Sequence, residues 1–514
     1  MSKATARKPT APIKATPVRA VVQPLALQDR LVSRVSGSAR ELNGILRLLT
    51  CGSVDDGKST LIGRLLWDAS DLYDDQRATI ERSASQGGAA GQPDFSLLVD
   101  GLAAEREQGI TIDIAWRYFD TERRRFVVID SPGHEQYTRN MASGASHADV
   151  AIMLVDARSG IKTQTRRHAA ILDLVGVKRV VLAVNKMDLV DWDEEPFQAI
   201  ARDFAALAAK FGFAQAVAIP LAARSGDNVA SASERMPWYS GPTLLEHLDG
   251  LPSRVTQVGG HFRFPVQTVL RDGQDFRGLA GTVASGSVCV GDRIVDVISG
   301  QSSRVLRIAT MGRDLEIASA GQAVALQLEH DLDLARGAIL AGPGTLPTAA
   351  TRLETKFVWM ADAPFDPKGA YFLRTATDLV PVAQLAIDAL LDLETLTTRP
   401  ATGCAMNDIA LATLTLGRPT AVDRFTTLPE TGSFMLVDAL TGASVAGGVI
   451  VEARALGVLE RSSGDTDQGF VLTREMLASG LCAGLAADGV EFERRAQEAI
   501  RLLALAGVTA TLKI

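Results

Sequence analysis

Only four cysteines occur in 514 residues, Cys51, Cys289, Cys404 and Cys482. They lie far apart and show no metal-ligand spacing, which excludes a zinc-built or disulfide-stapled scaffold and leaves free thiols in a reducing cytoplasm as the expectation. No apolar run reaches the ~18 residues that a membrane span needs. Positive charge is not in excess either: the net charge is −7, so bulk nucleic-acid binding is not implied, although a local basic patch is compatible with it. No nucleic acid and no membrane are expected as partners. Acidic residues are absent from the first 28 positions, which carry several Lys, Arg and Pro and lack the continuous apolar core of a secretory signal. Residues 1–40 therefore read as a disordered basic tail, with a targeting peptide or an anionic docking arm as the alternative. A short helix over "LQDRLVSRVSGSARELN" is expected before the first strand.

What is present is an ordinary globular composition, 46% hydrophobic and 22% charged, in a chain too long for one core. The most informative stretch is "CGSVDDGKSTLIGRLL". The apolar run "ILRLLTCG" predicts a strand entering a glycine loop, and "KSTLIGRLL" predicts a helix leaving it. That context makes the loop a phosphate cradle, because backbone N–H groups and a helix N-terminus converge on an anion there. The candidate nucleotide-binding residues are Gly52, Ser53, Val54, Asp55, Asp56, Gly57, Lys58, Ser59 and Thr60. Lys58 is placed to reach the β- and γ-phosphates, and the Ser59 hydroxyl to bind Mg²⁺.

A phosphate loop does not choose its base. "NKMD", after the apolar strand "RVVLAVNK", supplies a choice. A carboxylate at Asp188 accepts both guanine N1–H and N2–H₂, and adenine lacks that donor pair. Asn185 is expected to tie the loops together, with the Lys186 stem along the base. Ala222 and Ala223, in "IPLAARSGDN", are expected to offer backbone N–H groups to guanine O6. Between the two motifs lies "RFVVIDSPGHEQY". Asp130 closes a strand and can hold Mg²⁺ through water, the Gly133 N–H can meet the γ-phosphate, and His134 can orient the attacking water. Thr111, in "EREQGITID", can ligate Mg²⁺ while the γ-phosphate is present and release it afterwards. His134, Lys58 and Thr111 are thus the catalytic candidates, Ser59, Thr111 and Asp130 the metal candidates, and GTP with Mg²⁺ the expected ligands.

Alternating strands and helices continue to about residue 255 and predict an α/β P-loop GTPase domain with a doubly wound, mostly parallel sheet over 41–255. Short β-runs with Gly turns predict two all-β barrels after it, over 256–345 and 348–451, joined by the linker "GPGTLP". Neither barrel shows a pocket signature. Trp359 and Met360, on a barrel strand, read as core, and the barrels' expected use is to hold a partner and transmit the switch state.

"DSPGH", "GITI" and "NKMD" resemble the translation-factor class of GTPases. Longer stretches narrow this. "GSVDDGKSTLIGRLL", "LLVDGLAAEREQGITIDIAWRYF", "SPGHEQYTRNMASGAS" and "TQTRRH" resemble the GTPase subunit of bacterial sulfate adenylyltransferase (ATP sulfurylase). The likeness extends through both barrels, over about residues 45–450. Asp56 is part of it, because elongation factors usually carry His there. The resemblance implies a separate catalytic ATP sulfurylase subunit as partner in a hetero-oligomer. That subunit would join ATP and sulfate to give adenosine 5′-phosphosulfate and pyrophosphate, an uphill reaction drawn forward by GTP hydrolysis on this chain. A translational GTPase is the rival expectation and a non-enzymatic scaffold with a dead switch the second. The intact Lys58, Ser59, Thr111 and His134 speak against the latter.

Two departures from the family pattern stand out. Ala222 occupies a position where Ser is usual. Residues 452–514 form an extension in which "EFERRAQEAIRLLALAGVTATL" resembles part of the adenylylsulfate kinase that some relatives carry at this end, without a second phosphate loop before it. The alternative is a plain amphipathic helix with Phe492, Ala496, Ala499, Ile500 and Leu503 on its buried side.

Overall fold

A computed structural model describes residues 44–69, 94–99, 111, 113–252, 260–273 and 276–455, and in the C-terminal extension 470–473, 492, 494–495 and 510–513. The N-terminal tail, its expected short helix, Cys482 and most of "EREQGITID" lie outside these residues. The other three cysteines are free, and burial pushes the Cys51 and Cys404 thiols up to about 12, so both stay protonated.

The first domain runs β1 (Ile45–Gly52), α1 (Lys58–Ala69), β2 (Ala115–Asp120), β3 (Arg125–Asp130), α2 (Thr138–Ala145), β4 (Val150–Asp156), α3 (Thr163–Leu174), β5 (Arg179–Asn185), α4 (Glu194–Ala208), β6 (Gln215–Pro220) and α5 (Leu244–Gly250). The strands form one sheet in the order β2-β3-β1-β4-β5-β6. All pairings are parallel except that of the edge strand β2 with β3. A parallel sheet must be covered on both faces, so its central strands read as continuous apolar runs. β4 is buried at every residue. Leu48 and Leu49 separate onto opposite faces by strand alternation: Leu49 joins a core with Ile171 and Phe204, Leu48 a core with Leu61, Leu65 and Leu248. β1 pairs on one side with β3 and on the other with β4, so the chain reverses its winding there. The loop at the carboxyl end of β1 opens at that switch point, where open α/β sheets bind ligands.

Two closed six-strand barrels follow. β7 (Arg263–Asp272), β8 (Phe276–Thr282), β9 (Ser287–Cys289), β10 (Arg293–Asp296), β11 (Ser302–Thr310), β12 (Arg313–Leu315), β13 (Ile317–Ser319), β14 (Ala323–Leu328) and β15 (Ile339–Ala341) build the second domain, whose ring β10-β15-β7-β8-β14-β11 closes through the β10–β11 pairing. β16 (Thr348–Trp359), β17 (Tyr371–Arg374), β18 (Leu379–Leu391), β19 (Thr398–Pro400), β20 (Ile409–Val422), β21 (Ser433–Asp438) and β22 (Ser444–Arg454) build the third, closed by β17–β18. Closure removes the exposed edges that short antiparallel sheets otherwise present. Trp359 is buried against Phe365 and Tyr371, and its indole N–H donates to the Ala363 carbonyl at 2.8 Å, so it belongs to the core as expected. Among the described residues no helix is long and apolar enough to cross a membrane.

The barrels are joined by a buried bidentate pair. The Arg263 guanidinium donates to both Asp423 carboxylate oxygens at 3.0 and 3.1 Å and to the Thr345 carbonyl at 2.7 Å, and Thr431 donates to Asp423 at 2.7 Å. Removing one partner strands the other charge in a site where both side chains are under a tenth exposed. Arg263→Met is therefore expected to cost about 3–5 kcal/mol. Urea unfolding checks this, and a midpoint unchanged from wild type would refute it.

The C-terminal extension is a separate unit, Arg454–Ile514. Within it Phe470–Thr473 pairs in parallel with Ala510–Lys513. A parallel pair requires a crossover, and Phe492, Arg494 and Arg495 in the intervening chain are helical, with Phe492 fully buried. Ala496, Ala499, Ile500 and Leu503 lie outside the described residues.

Candidate functional site

The loop from Gly52 to Ser59 is built by two left-handed backbone positions, Asp55 (φ 66°) and Gly57 (φ 93°). Such turns point successive N–H groups at one concavity, and α1 begins at Lys58, so its N-terminus faces the same space. Gly57 has a second reason to be glycine: a Cβ there would collide with the Asn185 amide. Asp56 is buried and braces the loop, its carboxylate accepting the Ser53 N–H at 2.7 Å and lying 3.6 Å from the Lys162 ammonium. Val54 and Asp55 are exposed, while Ser59 and Thr60 sit half-buried in the first turn of α1.

Lys58 is buried, and its ammonium donates to the Gly52 and Ser53 carbonyls at 3.0 and 2.8 Å. An ammonium has three protons, so one remains for an anion in the cradle. Burial holds its pKa below the usual lysine value, opposed by the charges of Asp130 and Asp56. Asp130 closes β3, is buried, and accepts from the Thr50 hydroxyl at 3.4 Å. Gly133 follows where the chain passes so near the phosphate loop that a Cβ would stand 2.7 Å from the Gly52 carbonyl and run into the Lys58 ammonium. Only glycine lets the two loops close on one another.

His134 is half-buried and caps the short turn Glu135–Tyr137, its Nδ1 accepting the Gln136 N–H at 3.3 Å. That bond assigns the proton of a neutral ring to Nε2. Thr111 is half-buried. The structure brings together Lys58, Asp130, Gly133 and the loop; for Thr111 it gives no hydrogen bond to any of them.

The base side is assembled from three loops. The Asn185 amide donates to the Asp56 carbonyl at 2.8 Å and accepts from the Ala223 N–H at 3.0 Å, so this one side chain ties "NKMD", the phosphate loop and "LAAR" together. Lys186, at φ 64°, sends its ammonium to the Asp55 carbonyl and to the Asp156 carboxylate, 3.1 Å away. Asp188 follows in a short turn and is exposed at the rim. Ala222 and Ala223 lie in the third of these loops. The Ala222 N–H donates to the Asp227 carbonyl at 3.2 Å and the Ala223 N–H to Asn185, and both residues are buried. These bonds hold the loop in shape.

Two contributors escaped sequence reasoning. Asp156, at the carboxyl end of β4, is buried and links Lys186 to Arg158, whose guanidinium grips it at 3.0 and 2.6 Å. Those hydrogen bonds hold its carboxyl well below the usual carboxylate range. Its place at a strand end beside the switch point was the available signal. His168 on α3 is fully buried and meets Gln164 at 3.0 Å, and burial, with Lys58 and Arg167 nearby, pushes it down to about 3, so it stays neutral. No cluster of three or more His, Cys, Asp or Glu that could cage a metal exists among the described residues.

Residues 43–254 match the Elongation factor Tu GTP binding domain family, and residues 352–451 the GTP-eEF1A C-terminal domain-like family. The chain is 48% identical over 417 residues to the bifunctional enzyme NodQ of Rhizobium sp. (strain N33), covering 81% of this chain and 65% of NodQ, just under two thirds of its length. It is 46% identical over 415 residues to sulfate adenylyltransferase subunit 1 of Laribacter hongkongensis, covering 80% and 86%. It is 44% identical over 446 residues to sulfate adenylyltransferase subunit 1 of Shewanella oneidensis, covering 83% and 92%. Among solved structures, Sup35 complexed with GDP aligns over 80% of this chain and 94% of that chain at 25% identity, with a TM-score of 0.36.

Proposed function

The chain belongs to the sulfate adenylyltransferase subunit 1 family, and on that premise we propose that it is the GTP-hydrolysing subunit of ATP sulfurylase. Its partner would be the catalytic subunit that makes adenosine 5′-phosphosulfate and pyrophosphate from ATP and sulfate in the cytoplasm. The observation that carries the nucleotide assignment is the Asn185 bridge, which fixes the loop bearing Asp188 directly to the phosphate loop. A base held at Asp188 and phosphates held at Lys58 then belong to one nucleotide, and a carboxylate at the base end selects guanine.

In this reading the loop N–H groups and Lys58 bind the phosphates, and the Gly133 N–H meets the γ-phosphate. His134, with its proton on Nε2, holds the attacking water in line. Ser59, Thr111 and Asp130 are the residues that would hold Mg²⁺. They are hard oxygen donors beside a phosphate cradle, the set that Mg²⁺ prefers, and Asp130 is buried near Lys58. When bound, the ion neutralises charge on the phosphate oxygens.

Thr111 precedes the edge strand β2 and is the residue through which nucleotide state would reach the partner. Thr111→Ala is expected to bind GDP like wild type but to lose GTP-dependent stimulation of phosphosulfate synthesis when mixed with the catalytic subunit. Titrating phosphosulfate yield against GTP tests this. A mutant that couples as well as wild type would move the switch role to another residue.

A further inference from the structure

We infer that the third domain is part of the hydrolytic machinery, and that Asn407 is the positioning residue through which it sets His134. The inference rests on the water-orienting reading of His134 and adds a residue 272 positions apart in sequence from the turn it holds.

Asn407 lies just before β20, buried, with a left-handed backbone at φ 71°. It is pinned to the barrel interior: its N–H donates to the Trp359 carbonyl at 2.8 Å, and the Trp359 N–H donates to the Asp408 carbonyl at 2.9 Å. From that fixed base its side-chain amide donates to the carbonyl of Glu135 at 2.9 Å. Glu135 is the residue directly after His134. The same carbonyl accepts the Thr138 hydroxyl at 2.6 Å, so it is the node of the turn that His134 caps. Arg167 on α3 holds the other end of Glu135, 3.3 Å from its carboxylate. The backbone carbonyl is thus held from the barrel and the side chain from the helix.

Two other polar ties across this seam lie away from the turn. Thr163 donates to Glu394 at 2.8 Å, and Lys356 pairs with Asp173 at 3.3 Å. They dock the barrel, whereas Asn407 alone of these reaches the segment that carries His134. Water attack depends steeply on angle and distance, so a small displacement of the imidazole lowers the chemical step without weakening nucleotide binding. The left-handed backbone also narrows the useful variants, because alanine would strain it while glycine and aspartate tolerate it.

The test is single-turnover GTP hydrolysis by the full-length chain, with GTP and GDP affinities measured alongside. Asn407→Asp keeps the shape and turns the donor into an acceptor facing a carbonyl; Asn407→Gly removes the side chain and keeps the backbone. Each is expected to slow hydrolysis about 10-fold with affinities unchanged. Lys356→Met, which breaks a tie elsewhere on the seam, is expected to keep the wild-type rate. Wild-type rates in either folded Asn407 variant, or an equal slowing in Lys356→Met, would overturn the inference. His134→Ala runs in parallel: if it too hydrolyses at the wild-type rate, the reading of His134 has failed, which is a different result from Asn407 variants that stay fast while His134→Ala is slow.

Discussion

Asp188→Asn is expected to weaken GTP binding by on the order of 10²-fold or more and to strengthen binding of xanthosine triphosphate. The reason is a matched pair of donors: guanine offers N1–H and N2–H₂ to two carboxylate oxygens, and an amide replaces one acceptor by a donor. Xanthine carries an oxygen where guanine carries the amino group, so the amide restores the match. Asp188 stands exposed at the rim and is not part of the core, so the substitution acts on the ligand and leaves the fold intact. Asn185, its neighbour in the motif, is the internal strut. Competition titration reads the result. Equal displacement of bound GTP by ATP and by unlabelled GTP in the wild type would remove the base assignment altogether.

His134→Ala is expected to leave GTP affinity near wild type and to slow single-turnover hydrolysis by ~10²-fold or more. The imidazole makes no bond to the phosphate loop. Its Nδ1 accepts the Gln136 N–H within its own turn. Deleting it therefore removes a group that orients water and spares the groups that hold phosphate. Equal rates for mutant and wild type would sink the role.

What could be read from the sequence follows the range of the forces involved. The phosphate loop and "NKMD" were legible because each is a contiguous segment whose backbone course is fixed by its own residues, Gly57 above all. The parallel sheet was legible from the interiors of β4 and β5, 150–155 and 180–184, which are continuous apolar runs because helices cover both faces. The barrels were legible from short strands punctuated by glycine. Contacts between segments were not. The Ala222 N–H meets the Asp227 carbonyl only because the loop folds back on itself, which no local pattern announces. Asp156 acquires its role only because β4 lies beside β5 and so faces Lys186. Asn407 is an unremarkable loop residue until the barrel is docked against the turn after His134.

The central claim is that hydrolysis on this chain drives sulfate activation on a partner. Its most direct measurement is the final yield of adenosine 5′-phosphosulfate from ATP and sulfate, with the catalytic subunit and this chain together, at increasing GTP. The account predicts a yield that rises with the GTP hydrolysed, beyond the level reached without it, and no such rise with a non-hydrolysable GTP analogue. A yield that settles at the same level with and without GTP, while GTP is nonetheless consumed, would contradict it.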